Sequence, residues 1–280
     1  MPTSLVAAAW LLDHLEQPGV RVLDARFKLG DSNFGVKAYF AGHIPGAAFV
    51  DLERDLHEPV RPDRAGGRHP LPDPAHIAAV FSRIGLTNSD HIIAYDDPST
   101  GTGFYAPHLW WLLRYLGHDN VSVLDGGFPA WCAAGGALEE NLPIRTESHF
   151  AVNMTPAKIV DAKYVESRNT GTALIDSRAP ERFRGDVEPL DWKAGHIPGA
   201  INKNWADGLA ADGRWKPAAE QQQRFAELQQ ANEIIVYCGS GVSAGGNLLA
   251  LELAGISNAK LYPGSWSDWI TDDSRPIAKS

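Results

Sequence analysis

The chain has 280 residues, 44% of them hydrophobic and 21% charged, which is enough apolar material for real cores in one large domain or two modest ones. Its 25 basic and 34 acidic side chains give a net charge of −9, which argues against a general nucleic-acid or membrane-surface binder but leaves room for a small anionic substrate. Two cysteines, Cys132 and Cys238, exclude a disulfide framework, and neither a secretory leader nor a membrane-length apolar run is read, so a cytoplasmic setting is expected.

In chain order, Ser4 is expected to cap a helix whose apolar face uses Leu5, Ala8, Ala9, Leu12 and Leu15. Apolar runs at 20–23, 91–95 and 121–124 read as strands buried on both faces, with a helix over 104–116 that stops at Gly117. A polar, Pro-containing stretch at 138–156 interrupts the periodicity and reads as a linker. Beyond it, runs at 173–175, 233–237 and 259–261 read as strands, and 243–254 as a helix ending at Gly255. Alternating strands and helices predict an α/β fold, each half a mainly parallel sheet flanked by helices.

The two halves are copies. Val22-Leu23-Asp24-Ala25-Arg26 returns as Leu174-Ile175-Asp176-Ser177-Arg178, and Gly42-His43-Ile44-Pro45-Gly46-Ala47 as Gly195-His196-Ile197-Pro198-Gly199-Ala200. Ile92 to Asp96 answers Ile234 to Cys238, and Gly127-Phe128-Pro129-Ala130-Trp131 answers Ser265-Trp266-Ser267-Asp268-Trp269. The spacing shrinks along the chain (24 to 176 is 152, 96 to 238 is 142, 131 to 269 is 138) while the order is kept, so a domain is duplicated with altered loops.

The chemistry concentrates at Cys238-Gly239-Ser240-Gly241-Val242-Ser243-Ala244, where a buried strand runs through a glycine loop into an apolar helix. Ligands of open α/β sheets bind beyond the carboxyl ends of strands. Gly239 and Gly241 let the backbone curl so that amides point inward as an anion nest, and the helix N-terminus adds positive potential. A cysteine there is expected to be a thiolate nucleophile. Cys132, in an apparent helix with no glycine loop, is expected to pack in the core, and Asp96 in the matching place of the first half should make that loop inert. No cysteine or histidine pair has ligand spacing, so no metal is expected. His43 and His196 occur in both halves, one of which has no cysteine at the loop, and are expected to fix a turn; Asp24 and Asp176 are expected to brace strand ends. Trp205, Trp266 and Trp269 are candidates for lining a cleft.

On the paired Gly-His-Ile-Pro-Gly-Ala motifs, the Asp125-Gly126-Gly127-Phe128-Pro129-Ala130-Trp131 segment and the Cys238 loop, the chain resembles the tandem-domain rhodanese sulfurtransferases over nearly its whole length. The resemblance implies an inactive rhodanese-like domain over 1–140, a linker over 141–156 and a catalytic domain over 157–280. The loop is closest to that of the 3-mercaptopyruvate sulfurtransferases, with Ser243 where they usually carry Thr; thiosulfate-type members usually place basic residues directly after the cysteine. After the second repeated motif the family more often reads Asn-x-Pro-Phe, where this chain has Asn202-Lys203-Asn204-Trp205.

The resemblance implies that Cys238 takes a sulfane sulfur as a persulfide, releases pyruvate, and passes the sulfur to cyanide, a small thiol or a thioredoxin-type acceptor, with no cofactor. Arg178 and Arg182 are the substrate-binding arginines it implies, four residues apart and able to fork a carboxylate. Ser240 is expected to donate a proton or hydrogen bond, and Gly239, Gly241, Val242 and Ser243 to contact the donor. Thiosulfate as main donor, a non-catalytic persulfide carrier and a cysteine phosphatase are the alternatives. The last would need an Arg where Ala244 stands.

Overall fold

The computed structural model describes residues 3–280. Its strands are β1 (Leu5–Val6), β2 (Val20–Asp24), β3 (Ala48–Phe49), β4 (His91–Tyr95), β5 (Val121–Leu124), β6 (Thr172–Asp176), β7 (Ala200–Asn202), β8 (Glu233–Tyr237) and β9 (Lys260–Leu261). The helices of the first half are α1 (Ala8–His14), α2 (Phe34–Ala41), α3 (Pro74–Arg83), α4 (Tyr105–Tyr115) and α5 (Gly127–Ala133). Those of the second half are α6 (Ala162–Glu166), α7 (Pro180–Arg184), α8 (Ala218–Arg224), α9 (Ala244–Leu253) and α10 (Ser265–Trp269).

The chain forms two compact units, each around one parallel sheet. Unit 1 has strand order β1-β5-β4-β2-β3 and unit 2 has β7-β6-β8-β9, so the four strands around the site recur in the same order. Registers match as well: Asp24 lies beside Tyr95, and Asp176 beside Tyr237. Cores follow the buried strand faces. Leu11, Ile44, Ile93 and Trp131 fill one, and Val165, Ile197, Ile235, Trp266 and Trp269 fill the other.

The contiguous spans read from the sequence are amended in two places. Residues Glu58–Leu71, from the first half, pack in unit 2, and Leu209–Trp215, from the second half, pack in unit 1. The stretch read as a linker is a strap on unit 1: Phe150 is buried, Asn88 holds Ala151 at both its amide and carbonyl, and Thr155 donates to Tyr115. Polar and Pro residues hide that attachment from a periodicity argument, because backbone and side-chain hydrogen bonds make it.

At the N-terminus the expected Ser4-capped helix is replaced by the short strand β1, and α1 starts after Ala7 without a side-chain cap. Pairing of Leu5 with Val123 and Val6 with Leu124 satisfies those backbone groups on the sheet edge, which the helix reading could not. Leu12 is left 39% exposed as a consequence of the shorter helix.

Candidate active site

Each sheet carries the same brace behind its central strand. Arg178 donates from Nε and Nη2 to both Asp176 oxygens (2.6–3.1 Å) and from Nη2 to the Gly195 carbonyl (2.7 Å). Arg26 does the same to Asp24 and to the Gly42 carbonyl (2.9 Å) in unit 1, where Asp96 stands in the place of Cys238. Arg178 lies over the Trp266 ring, is 2% exposed, and gives its remaining Nη1 to Glu188. Its assignment as a donor-binding residue is therefore corrected. The guanidinium is committed to a buried ion pair that the half with Asp96 at the loop also needs, and carboxylate recognition requires free N–H groups.

The repeated histidines are structural in both units. His43 Nδ1 bonds the Tyr39 carbonyl and His196 Nδ1 the Phe183 carbonyl, each ring stacking on that aromatic side chain with centroids 3.7 and 3.8 Å apart.

Strand β8 ends at Tyr237 and hands the chain to Cys238, which is 1% exposed. Its amide donates to Ser265 Oγ (3.1 Å), and its carbonyl accepts from the Trp266 amide (3.1 Å). Ser265 has φ +55, a conformation unfavourable for a residue with a Cβ, where the first copy has Gly127 at +57. The hydroxyl gained at that position is what holds the cysteine amide. Gly241 has φ +84, and a Cβ on it would run into the Pro263 carbonyl, so this turn of the loop requires glycine. Among the described residues, no protein group accepts from the amides of Gly239, Ser240, Gly241, Val242 or Ser243. Five consecutive donors at a strand end, followed by α9, form a cradle for an anion or anionic sulfur.

The 58–71 arm supplies what the sequence reading lacked. The Gly66 amide donates to Asp268 (2.8 Å) and the Arg68 amide to Ser267 Oγ (3.0 Å), which clamps the arm on the turn behind Cys238. Gly67, at φ +79, lies so close to the Gly264 carbonyl that a side chain would not fit. His69 Nδ1 is hydrogen-bonded to Ser240 Oγ at 2.8 Å, so a titratable ring stands one bond from the loop hydroxyl. The Arg68 guanidinium pairs with Asp191 and reaches over Gly239: a Cβ built on that glycine would lie 2.9 Å from Arg68 Nη2. Arg182 shares the position, its two terminal nitrogens 3.4 and 3.5 Å from the same point, while it donates to Glu188 (2.6 Å) and faces Asp191 (3.6 Å).

The structure thus brings together Cys238, Ser240, the loop Gly239 to Ser243 and Arg182, and it leaves Arg178 aside. Arg68, His69, Glu188, Asp191 and Ser265 were missed. The Ser240–His69 contact spans 171 residues of chain, and the arm has no counterpart in the matched repeats, so no spacing argument reaches it. The Gly66-Gly67 pair before Arg68 was the available signal of a backbone that something approaches closely. Two further expectations are corrected. Trp266 and Trp269 are 0% and 1% exposed in the core and line no cleft, because each belongs to the apolar face of α10, whereas Trp205 is only half-buried. Cys132 is exposed, since it sits on the outer face of the helix whose inner face carries Trp131. No group of three or more His, Cys, Asp or Glu able to hold a metal, and no helix long and apolar enough to cross a membrane, occurs among the described residues.

Residues 7–134 and 161–272 each match the rhodanese-like domain, and the chain belongs to that family as a tandem of two such domains. It is 46% identical to a probable 3-mercaptopyruvate sulfurtransferase of Pseudomonas aeruginosa (98% of this chain, 97% of that protein). It is 39% identical to a putative thiosulfate sulfurtransferase of Mycobacterium tuberculosis (93% and 91%). The crystal structure of Escherichia coli SseA, which represents the rhodanese fold of 3-mercaptopyruvate sulfotransferases, superposes with a TM-score of 0.82 at 35% identity (95% of this chain, 100% of that chain). Within the family, this chain is a sulfurtransferase.

Proposed function

We propose that the protein transfers sulfur from 3-mercaptopyruvate through a persulfide on Cys238, in the cytoplasm and without a cofactor. The observation that carries this reading is the row of five amides with no acceptor among the described residues, directly after a cysteine at a strand end. In the first step the Cys238 thiolate attacks the donor's sulfur. An S–S bond forms, the C–S bond breaks, and its electron pair stays on carbon as the enolate of pyruvate, which takes up a proton. The Ser240–His69 pair is within one hydrogen bond of the loop and supplies or relays that proton. The amides stabilise thiolate and persulfide, and Arg182 orients the donor carboxylate. In the second step a thiolate acceptor or cyanide attacks the outer sulfur and Cys238 leaves as thiolate.

The neutral loop residues Gly239 and Ser240 favour a donor whose charge lies away from the transferred sulfur, and the 46% identical relative carries the mercaptopyruvate name. A second reading, thiosulfate as main donor, draws on the two guanidiniums over Gly239, which suit a dianion as well. The test is a donor-by-acceptor matrix of kcat/KM with mass analysis of the resting enzyme. The expected result is a higher kcat/KM for mercaptopyruvate, a one-sulfur mass increase on Cys238, and loss of both in Cys238→Ser. Turnover retained in that variant overturns the nucleophile assignment. An adduct without turnover would instead indicate a carrier.

A further inference from the structure

We propose that Arg68, delivered by the 58–71 arm, is a donor-binding residue that sets the charge selectivity of the Cys238 site. This rests on Cys238 being the nucleophile, and it assigns the recognition of the donor's carboxylate to a pair formed across the arm and helix α7.

Three guanidiniums lie at this end of unit 2, and their commitments differ. Arg178 has a side chain 1% exposed and spends its donors on Asp176, Glu188 and the Gly195 carbonyl. Arg182 holds Glu188 through Nε and Nη2, which leaves Nη1 without an acceptor among the described residues, 3.5 Å from the point where a Gly239 side chain would begin. Arg68 holds Asp191 through Nη1, and its Nη2, likewise without an acceptor among the described residues, is 2.9 Å from the same point. Two free N–H edges from different segments thus converge above the first glycine of the cradle. That is the arrangement a planar carboxylate accepts, one oxygen to each guanidinium.

The arm fixes Arg68 there. Its own amide is bonded to Ser267, Gly66 is bonded to Asp268, and the next residue, His69, is bonded to Ser240. Charge counting shows what it contributes. Arg68, Arg178 and Arg182 face Asp176, Glu188 and Asp191, three against three, so the cluster is neutral before an anion arrives. Without Arg68 the balance is −1, and the Asp191 side chain, 0% exposed, would keep only Arg182, 3.6 Å away, against the incoming carboxylate. Arg68 is what lets an acidic protein present a cationic edge to a small anion at one place.

The experiment uses the full chain in a Cys132→Ser background and alkylates Cys238 with iodoacetate or iodoacetamide, which form the same S–C bond and expel iodide but differ in charge. The ratio of the two rates, taken against the same ratio for a free small thiol, reads the local field with no sulfur donor present. It should favour iodoacetate in the parent and fall about tenfold in Arg68→Gln, with the difference shrinking at high salt. Arg68→Lys keeps the charge but not the fork, so it should hold most of the alkylation ratio while raising KM for 3-mercaptopyruvate severalfold with kcat little changed. An unchanged ratio in a folded Arg68→Gln, or an unchanged KM in Arg68→Lys, overturns the proposal. A parent protein that shows the ratio but turns over neither mercaptopyruvate nor thiosulfate would sink the functional reading and leave the charge assignment standing.

Discussion

Strand β4 delivers Asp96 and strand β8 delivers Cys238 to the same place in the two units, and the backbone after each is bonded alike: Phe128 donates to the Asp96 carbonyl (2.8 Å) as Trp266 does to that of Cys238 (3.1 Å). The loops then part. After Asp96 the chain closes on itself in a short 3-10 turn, with the Ser99 amide on the Asp97 side chain and the Thr100 and Gly101 amides on backbone carbonyls. The Asp96 carboxylate itself takes the Ala106 amide at the start of α4 (3.0 Å). Unit 1 therefore carries a built-in carboxylate and spends the Ser99, Thr100 and Gly101 amides internally, whereas unit 2 keeps the donors after its cysteine and supplies a sulfur. The arms differ in the same sense. In unit 1 the 209–215 arm brings the Trp215 amide to Asp125, and in unit 2 the 58–71 arm brings Arg68 and His69. A duplicated fold has become one structural and one reactive copy through a few residues at matched positions.

The largest expected effect breaks this comparison at its centre. The double variant Asp96→Cys/Cys238→Ser should show no sulfur transfer above background in a cyanide or thiol assay, because a cysteine placed in unit 1 is followed by a loop whose Ser99, Thr100 and Gly101 amides are already bonded and lacks the Arg68–Arg182 pair. Activity there would mean that the loop backbone is unimportant.

Next comes the brace. Arg26→Ala and Arg178→Ala should each destabilise by ~3 kcal/mol or more in urea titrations, since each leaves a buried carboxylate (Asp24 or Asp176, both 0% exposed) without its partner. Arg182→Ala should cost less than either, because Glu188 keeps Arg178, and act mainly on donor KM. If Arg178→Ala were as stable as the parent and impaired only in KM, the correction made above would itself be wrong.

A pH series sharpens the contrast at Asp96. Burial pushes its carboxyl up to about 7 against the Ala106 and Tyr105 amides, which pull it down. With the folded value raised, its contribution to stability is full below about pH 4 and is lost as pH rises through about 7, an effect of up to ~4 kcal/mol. Asp96→Asn should remove that fall between about pH 4 and 7. His57, held down to about 4 by burial, works in the opposite sense, with stability present above pH 6.5 and lost on acidification, so the variant should make the acid-side loss more visible. A parent-like slope in Asp96→Asn would show that this carboxyl does not titrate in the neutral range.

The smallest effect concerns the second thiol. Cys132 is exposed on α5 in the unit without the reactive cysteine, so Cys132→Ser should leave kcat/KM within about twofold and melting unchanged.

Most of the long strands and two of the three longest helices, α4 and α9 but not α3, were legible because their apolar runs are buried on both faces or end at a glycine. β4, β5 and β8 match their expected bounds, and α4 and α9 each lie one residue inside theirs at both ends. The strands β1, β3 and β7 were not legible: two or three residues carry no period, and their pairing is decided by the neighbouring strand. Cys238, its loop and Arg182 could be read because they sit in local motifs. Arg178 looked like its neighbour Arg182 in sequence, and only the depth of its burial and the parallel with Arg26 separate a brace from a binding group.

The amino-acid order alone determined the duplication, the parallel α/β architecture and the position of a cysteine between a buried strand and a glycine loop, since these follow from local periodicity and turn chemistry. That Arg68 meets the loop and that His69 stands beside Ser240 were decided by chain closure over more than a hundred residues. Contacts at that distance depend on how arms fold back, and no local pattern of side chains encodes where an arm will land.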